Sequence, residues 1–187
     1  MPLFLWVAGG ALLLALVFVV FQHNRMVTLR NRCAESWADV DAELLRRHDL
    51  IPNLVQTVQA SAAHERSIVA EVTTARAKAM AAGADPMARQ GAEAALARSL
   101  SRLLAVAQAY PNLKASANFL ALQQELATTE DRIQAARRFY NANVRDYRNQ
   151  TRQMPGVLVA RAFHFAEVPF FEVESVAVRN APAVQVG

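Results

Sequence analysis

Arg46-Arg47-His48-Asp49-Leu50-Ile51-Pro52-Asn53-Leu54-Val55 is the stretch on which the fold turns. Proline lacks the amide proton that a helix interior needs and crowds the carbonyl four residues earlier, yet it does no harm in a first turn. Arg46, Arg47 and His48 form a cationic cluster suited to a helix C-terminus. Asp49 is a favoured N-cap residue. One helix can therefore end here and another begin. A single long helix kinked at Pro52 also satisfies these residues, because no glycine marks a reversal and two or three residues barely close a helical hairpin. The hairpin is preferred because it yields four segments of comparable length that can bury one another.

Upstream, Leu29, Cys33, Trp37, Val40 and Leu44 recur at steps of four and three, which is one face of a helix. Downstream, Ile51, Val55, Val58, Ala62, Val69 and Val72 continue an apolar face to about Met80, and Ala81-Ala82-Gly83 ends it. Asp85-Pro86 is a start signal, an N-cap followed by proline at the first helical position. The third helix carries Leu96, Leu100, Leu103, Leu104 and Ala107 and stops at Tyr110-Pro111. A fourth runs from Ser116 or Asn118 to about Met154 with the stripe Phe119, Leu122, Leu126, Thr129, Ile133, Ala136, Tyr140, Val144 and Tyr147, and Pro155-Gly156 ends it. The expectation is an all-α chain whose residues 25–154 form an up-and-down four-helix bundle of long antiparallel helices. Residues 155–187 form a short amphipathic segment and a tail that frays from Arg179.

Residues 1–24 read differently. Leu3 to Phe21 is uncharged and predicts a helix of roughly 28 Å, close to the ~30 Å hydrocarbon core of a bilayer. A cleaved signal peptide is the rival reading, but no basic residue precedes the run and Phe21-Gln22-His23-Asn24 is a poor cleavage site. Arg25, Arg30 and Arg32 follow with no carboxylate before Glu35, so the N-terminus is expected outside and the body in the cytoplasm.

Behind that span about 160 residues remain, enough for one domain with its own core. The single cysteine, Cys33, excludes an internal disulfide and reads as a small apolar residue on a helix face. The net charge of +4 is carried by 18 Arg and 2 Lys. Arginines crowd the window from Arg132 to Arg161, most of it the fourth helix, and the intervening carboxylate is Asp146. A solvated face explains such a run; attraction to anionic headgroups is the second explanation. In the hairpin topology the end of helix four returns beside Arg25, Arg30 and Arg32. Arg148, Arg152, Phe163 and Phe165 then join those three as candidate membrane-surface contacts, although the phenylalanines could instead cap the bundle core.

Arg47, His48, Asp49 and Asn53 cluster near the bend, and Glu130, Arg137, Tyr140 and Asn141 on helix four. They suit interhelical ion pairs and caps, or a partner's helix end or an anionic ligand. His23, His48, His64 and His164 are scattered without a metal-binding spacing, so no metal, cofactor or catalytic constellation is expected. A hydrolase would require Asp49, His48 and a carboxylate from another helix to converge in a cleft. Nucleic-acid binding rests only on the basic balance and is not favoured. The leading expectation is a tethered scaffold whose partners are the lipid bilayer and a membrane protein or a second copy of the chain.

The blocks Leu29-Arg30-Asn31-Arg32, Glu35-Ser36-Trp37, Arg46 to Val55, Ala63-His64-Glu65, Ala109-Tyr110-Pro111-Asn112-Leu113-Lys114, Phe139-Tyr140-Asn141 and Pro155-Gly156 resemble the signature of the LemA family. The resemblance runs from about Leu29 to Phe171. It implies a bacterial inner-membrane protein with one N-terminal span, a cytoplasmic four-helix bundle and no established enzymatic activity. It further implies envelope- or stress-related membrane functions, and magnetosome membranes in one branch. The chain departs from the family pattern after Gly156, where His164 precedes Phe165 and Ala166-Glu167 follow.

Overall fold

The computed structural model describes residues 2–61, 65–83 and 85–172, and for Pro2, Phe4 and Ser61 the backbone alone. The described residues form helices and no strands: α1 (Pro2–Ser61), α2 (Arg66–Ala81), α3 (Pro86–Ala107), a single turn α4 (Pro111–Lys114), α5 (Ala117–Arg152) and α6 (Gly156–Ala162).

The expected hairpin at Asp49–Pro52 does not form. α1 passes through Pro52 without a break, and the reversal falls between Ser61 and Arg66. Val40, Leu44, Ile51, Leu54 and Val58 are all buried, so the apolar stripe keeps helical register across the proline and gains nothing from a turn there. Proline's missing N–H orphans the His48 carbonyl, and Arg76 Nε donates to that oxygen at 2.8 Å. Asp49 consequently sits inside a helix as an exposed residue and caps nothing.

Other boundaries fall close to expectation. Gly83, past the end of α2, adopts φ +73°, which favours glycine. Asp85 accepts the Met87 N–H at 3.2 Å and Pro86 opens α3. α3 stops at Ala107, and Pro111 initiates the one-turn α4, so the proline starts a helix as well as excluding one. Every residue of the α5 stripe is buried except Ala136, which is half-buried. Ala62, His64 and the tail beyond Glu172 lie outside the described residues.

The chain forms two compact units. One comprises Asp39–Arg137 and Phe170–Gly187. Here the later part of α1, α2, α3 and the first part of α5 share a core that includes Ile51, Val58, Val72, Leu96, Leu103, Phe119 and Leu126. Each such side chain contributes about 1.5–3 kcal/mol by leaving water. Arg47 meets Glu130 and Asn118 meets Thr57, so α1 and α5 run antiparallel in this unit.

The other unit comprises Met1–Ala38 and Arg138–Pro169. Its apolar cluster is Met26, Val159 and Ala160, with Val19 and Phe165 packed against it. Trp37 packs against Tyr140 at 5.3 Å. Leu3, Trp6, Leu12, Val17 and Phe21 are all exposed, with Trp6 at 80%. This part of α1 is long and apolar enough to cross a membrane.

Candidate functional site

α1 places Arg47 and His48 between Leu44 and Ile51 of its core stripe, and α3 places Glu93 and Arg89 one and two steps before Leu96. All four are buried, with Arg47 2% exposed and His48 and Glu93 0%. The Arg47 fork spans two carboxylates, donating from Nη2 to Glu93 Oε2 at 2.5 Å and from Nη1 to Glu130 Oε2 at 2.9 Å. One guanidinium therefore ties α1 to both α3 and α5. Arg89 pairs with Asp41 and has its Nε 3.8 Å from Glu93 Oε1.

His48 Nε2 lies 3.0 Å from Glu93 Oε1, but without hydrogen-bond alignment, so this contact acts through proximity and charge. His48 Nδ1, Arg47 Nε and Arg89 Nε have no hydrogen-bond partner among the described residues. Burial alone would push the Glu93 carboxyl up. Contact with His48 and the charge of Arg47 outweigh burial and hold it below its ordinary value. Glu93 is thus the ionised hub of the cluster.

This arrangement suits bracing better than turnover. His48 is sealed from solvent while Asp49, one residue on, is exposed, so the convergence a hydrolase would need does not form. Of the residues expected to cluster, the structure brings together Arg47, His48 and Glu130. Asn53 is exposed, and its carbonyl accepts from Thr57. Arg137 and Asn141 are half-buried and engaged. Tyr140 belongs to the other unit, where its hydroxyl donates to the Pro169 carbonyl at 2.8 Å. Asp41, Arg89, Glu93 and Arg76 were missed. The signal was available for two of them, because Arg89 and Glu93 stand four apart and in register with Leu96 and Leu100.

The basic residues divide by what they touch. Arg148 is half-buried and donates to the Val168 carbonyl at 2.9 Å. Arg152 pairs with Glu167 at 2.6 Å and holds that carboxyl below its ordinary value. Arg30 lies 5.8 Å from the centre of the Phe165 ring. Phe163 and Phe165 both meet the His23 ring edge-on, at 4.8 and 5.4 Å. Phe165 is half-buried, whereas Phe163 is 52% exposed. Arg25 and Arg32 are exposed beside the apolar stretch of α1. Cys33 is buried, and burial followed by the Asp146 charge pushes its thiol up to about 11, so it is protonated at neutral pH.

The LemA family profile matches residues 36–186. The chain belongs to the LemA family. The family's matched region takes in the buried cluster, from Asp41 on α1 to Glu130 on α5. The chain is also similar to magnetosome protein MamQ of Magnetospirillum gryphiswaldense, 22% identical over 178 residues that cover 82% of this chain and 65% of the relative. It is similar to magnetosome proteins MamQ 1 and MamQ 2 of Paramagnetospirillum magneticum, each 23% identical over 179 residues covering 82% of this chain and 66% of the relative. The chain thus spans about two thirds of the length of these relatives.

Proposed function

We propose that this LemA-family chain is a single-pass membrane scaffold, with Leu3–Phe21 in the bilayer and the helices behind it forming an up-and-down four-helix bundle in the cytoplasm. The observation that carries the reading is the run of exposed apolar side chains from Leu3 to Phe21. Left in water, such a surface would be a severe aggregation liability; in lipid it is stable. Similarity to magnetosome proteins supports a role in organising an envelope membrane. The sealed ionic cluster supports a rigid body that presents surfaces to a partner, either a second membrane protein or a second copy of this chain. The arginines after Phe21, with no carboxylate before Glu35, favour an N-terminus outside the bacterial inner membrane.

Spheroplasts expressing the full chain with a C-terminal tag test this. The tag is expected to stay with the membrane pellet through alkaline carbonate and to resist external protease until the cells are lysed. Release by carbonate would reject the anchor, and digestion in intact spheroplasts would reject the orientation.

A further inference from the structure

In the Met1–Ala38 and Arg138–Pro169 unit Arg30, Arg148 and Arg152 are engaged, whereas Arg25 and Arg32 on α1, like Arg138, Arg145 and Arg161 further along the chain, form no ion pair among the described residues. A cleft of about 690 Å³ opens between α1 and the end of α5, lined by Phe21, Arg25 and Arg32 from α1, by Asp146 and Asn149 from α5, and by Gln153 just past it. Among the described residues no ion pair engages Arg25, Arg32 or Asp146. Two guanidinium groups against one carboxylate leave the cleft with one net positive charge, which matches one phosphodiester.

Depth supplies the second constraint. Arg25 lies four residues beyond Phe21, or about 6 Å along the helix, within the polar layer of about 5–8 Å that covers each face of the hydrocarbon. Arg32 is about 16 Å beyond Phe21, but helix side chains lean toward the N-terminus, which here is the apolar end. The cleft thus opens at phosphate level and extends away from the lipid tails.

We propose that this cleft binds the headgroup of one anionic phospholipid of the phosphatidylglycerol class. Arg25 and the amides of Asn149 and Gln153 hold the phosphate, as guanidinium and amide donors do. At the far end Arg32 donates to the hydroxyls of the distal glycerol, and Asp146 accepts from them. A choline headgroup offers Asp146 no donor, and an ethanolamine headgroup leaves the net charge uncancelled. The proposal rests on the reading of Leu3–Phe21 as a membrane span.

The test is native mass spectrometry of the full chain released from detergent after equilibration with equal amounts of phosphatidylglycerol, phosphatidylethanolamine and phosphatidylcholine of matched acyl chains. A phosphatidylglycerol adduct favoured on the order of tenfold is expected. R25Q/R32Q should bring the three lipids to parity while keeping wild-type helicity, and R132Q/R138Q, which removes the same charge elsewhere on α5, should keep the preference. Equal adducts in the wild type, or equal loss in both double variants, would overturn the site. A phosphatidylethanolamine preference abolished by D146N would overturn the anionic assignment. Displacement of the lipid by millimolar glycerol phosphate would overturn the lipid source in favour of a soluble phosphate ester. Carbonate extraction of the same chain separates the two readings: release rejects the span, whereas retention without headgroup preference rejects the cleft alone.

Discussion

The unit built on Asp39–Arg137 buries an ionic cluster, whereas the unit built on Met1–Ala38 and Arg138–Pro169 is fastened by side-chain hydrogen bonds to main-chain carbonyls. In the first, Arg47, His48, Arg89 and Glu93 are packed among aliphatic side chains. In the second, Tyr140 and Tyr147 donate to the carbonyls of Pro169 and Ala166, and Arg148 to that of Val168. Those three bonds strap the irregular segment after α6 onto α5. The difference matters energetically. A tyrosine hydroxyl on a carbonyl contributes about 1 kcal/mol net, a guanidinium on a carbonyl about 1.5–3 kcal/mol, and the loss of either is local. A buried charge depends on every partner it has, so removing one leaves the others desolvated and uncompensated.

The sharpest way to break this contrast is at Glu93. E93A is expected to lose about 3–5 kcal/mol of stability, because it strands Arg47 and His48 in a dry interior. Denaturant unfolding of the full chain in detergent would read this, and a loss below about 1 kcal/mol would mean that the cluster is not truly desolvated. The same residue gives the pH dependence. Its folded pKa is depressed, so the stability it supplies is fully present above the ordinary value of 4.5 and disappears as pH falls through the lower folded value. Acid titration should therefore melt the wild type below pH 4.5, while E93A, lacking this group, loses less stability over the same range.

A somewhat smaller effect is expected in the other unit, where the sensitive position is a glycine. A Cβ on Gly156 would collide with the Gln150 carbonyl oxygen and press on the Met26 methyl at 3.1 Å. G156A should cost about 1–3 kcal/mol through overpacking. Because Met26, Val159 and Ala160 form that apolar cluster, thermal unfolding of G156A should be accompanied by freer access of solvent to Phe165. Wild-type melting of G156A would show that α6 can shift at no cost.

Several of these features were open to reading from residues alone. The stripes of α3 and α5, the Asp85-Pro86 start and the stop at Gly83 follow from periodicity and capping, which are local. Arg89 and Glu93 were hidden by their residue type: charge argues for exposure, and only their register with Leu96 argues against it. Asp41 and Glu130 are half-buried and gain meaning only through partners on other helices. The path through Pro52 was illegible for a related reason. The cost of proline inside a helix is decided by whether something else reaches the freed carbonyl, and here that is Arg76 on α2, twenty-eight residues away in sequence.

That substitution of a guanidinium for a peptide N–H gives the subtlest test. R76A should destabilise the Asp39–Arg137 unit by about 1 kcal/mol, the lower end of the range for an orphaned acceptor, since a carbonyl is less demanding than an N–H. P52A restores a main-chain donor four residues after His48, so in that background the carbonyl no longer needs Arg76. The double variant P52A/R76A should then be more stable than the sum of the two single effects, with a coupling of about 0.5–1 kcal/mol in a double-mutant cycle. A coupling of zero would mean that Arg76 serves α2 and α1 only by packing, and that α1 tolerates Pro52 for a reason unrelated to the His48 carbonyl. A positive coupling would locate, at one oxygen atom, why the helix continues where a hairpin was expected.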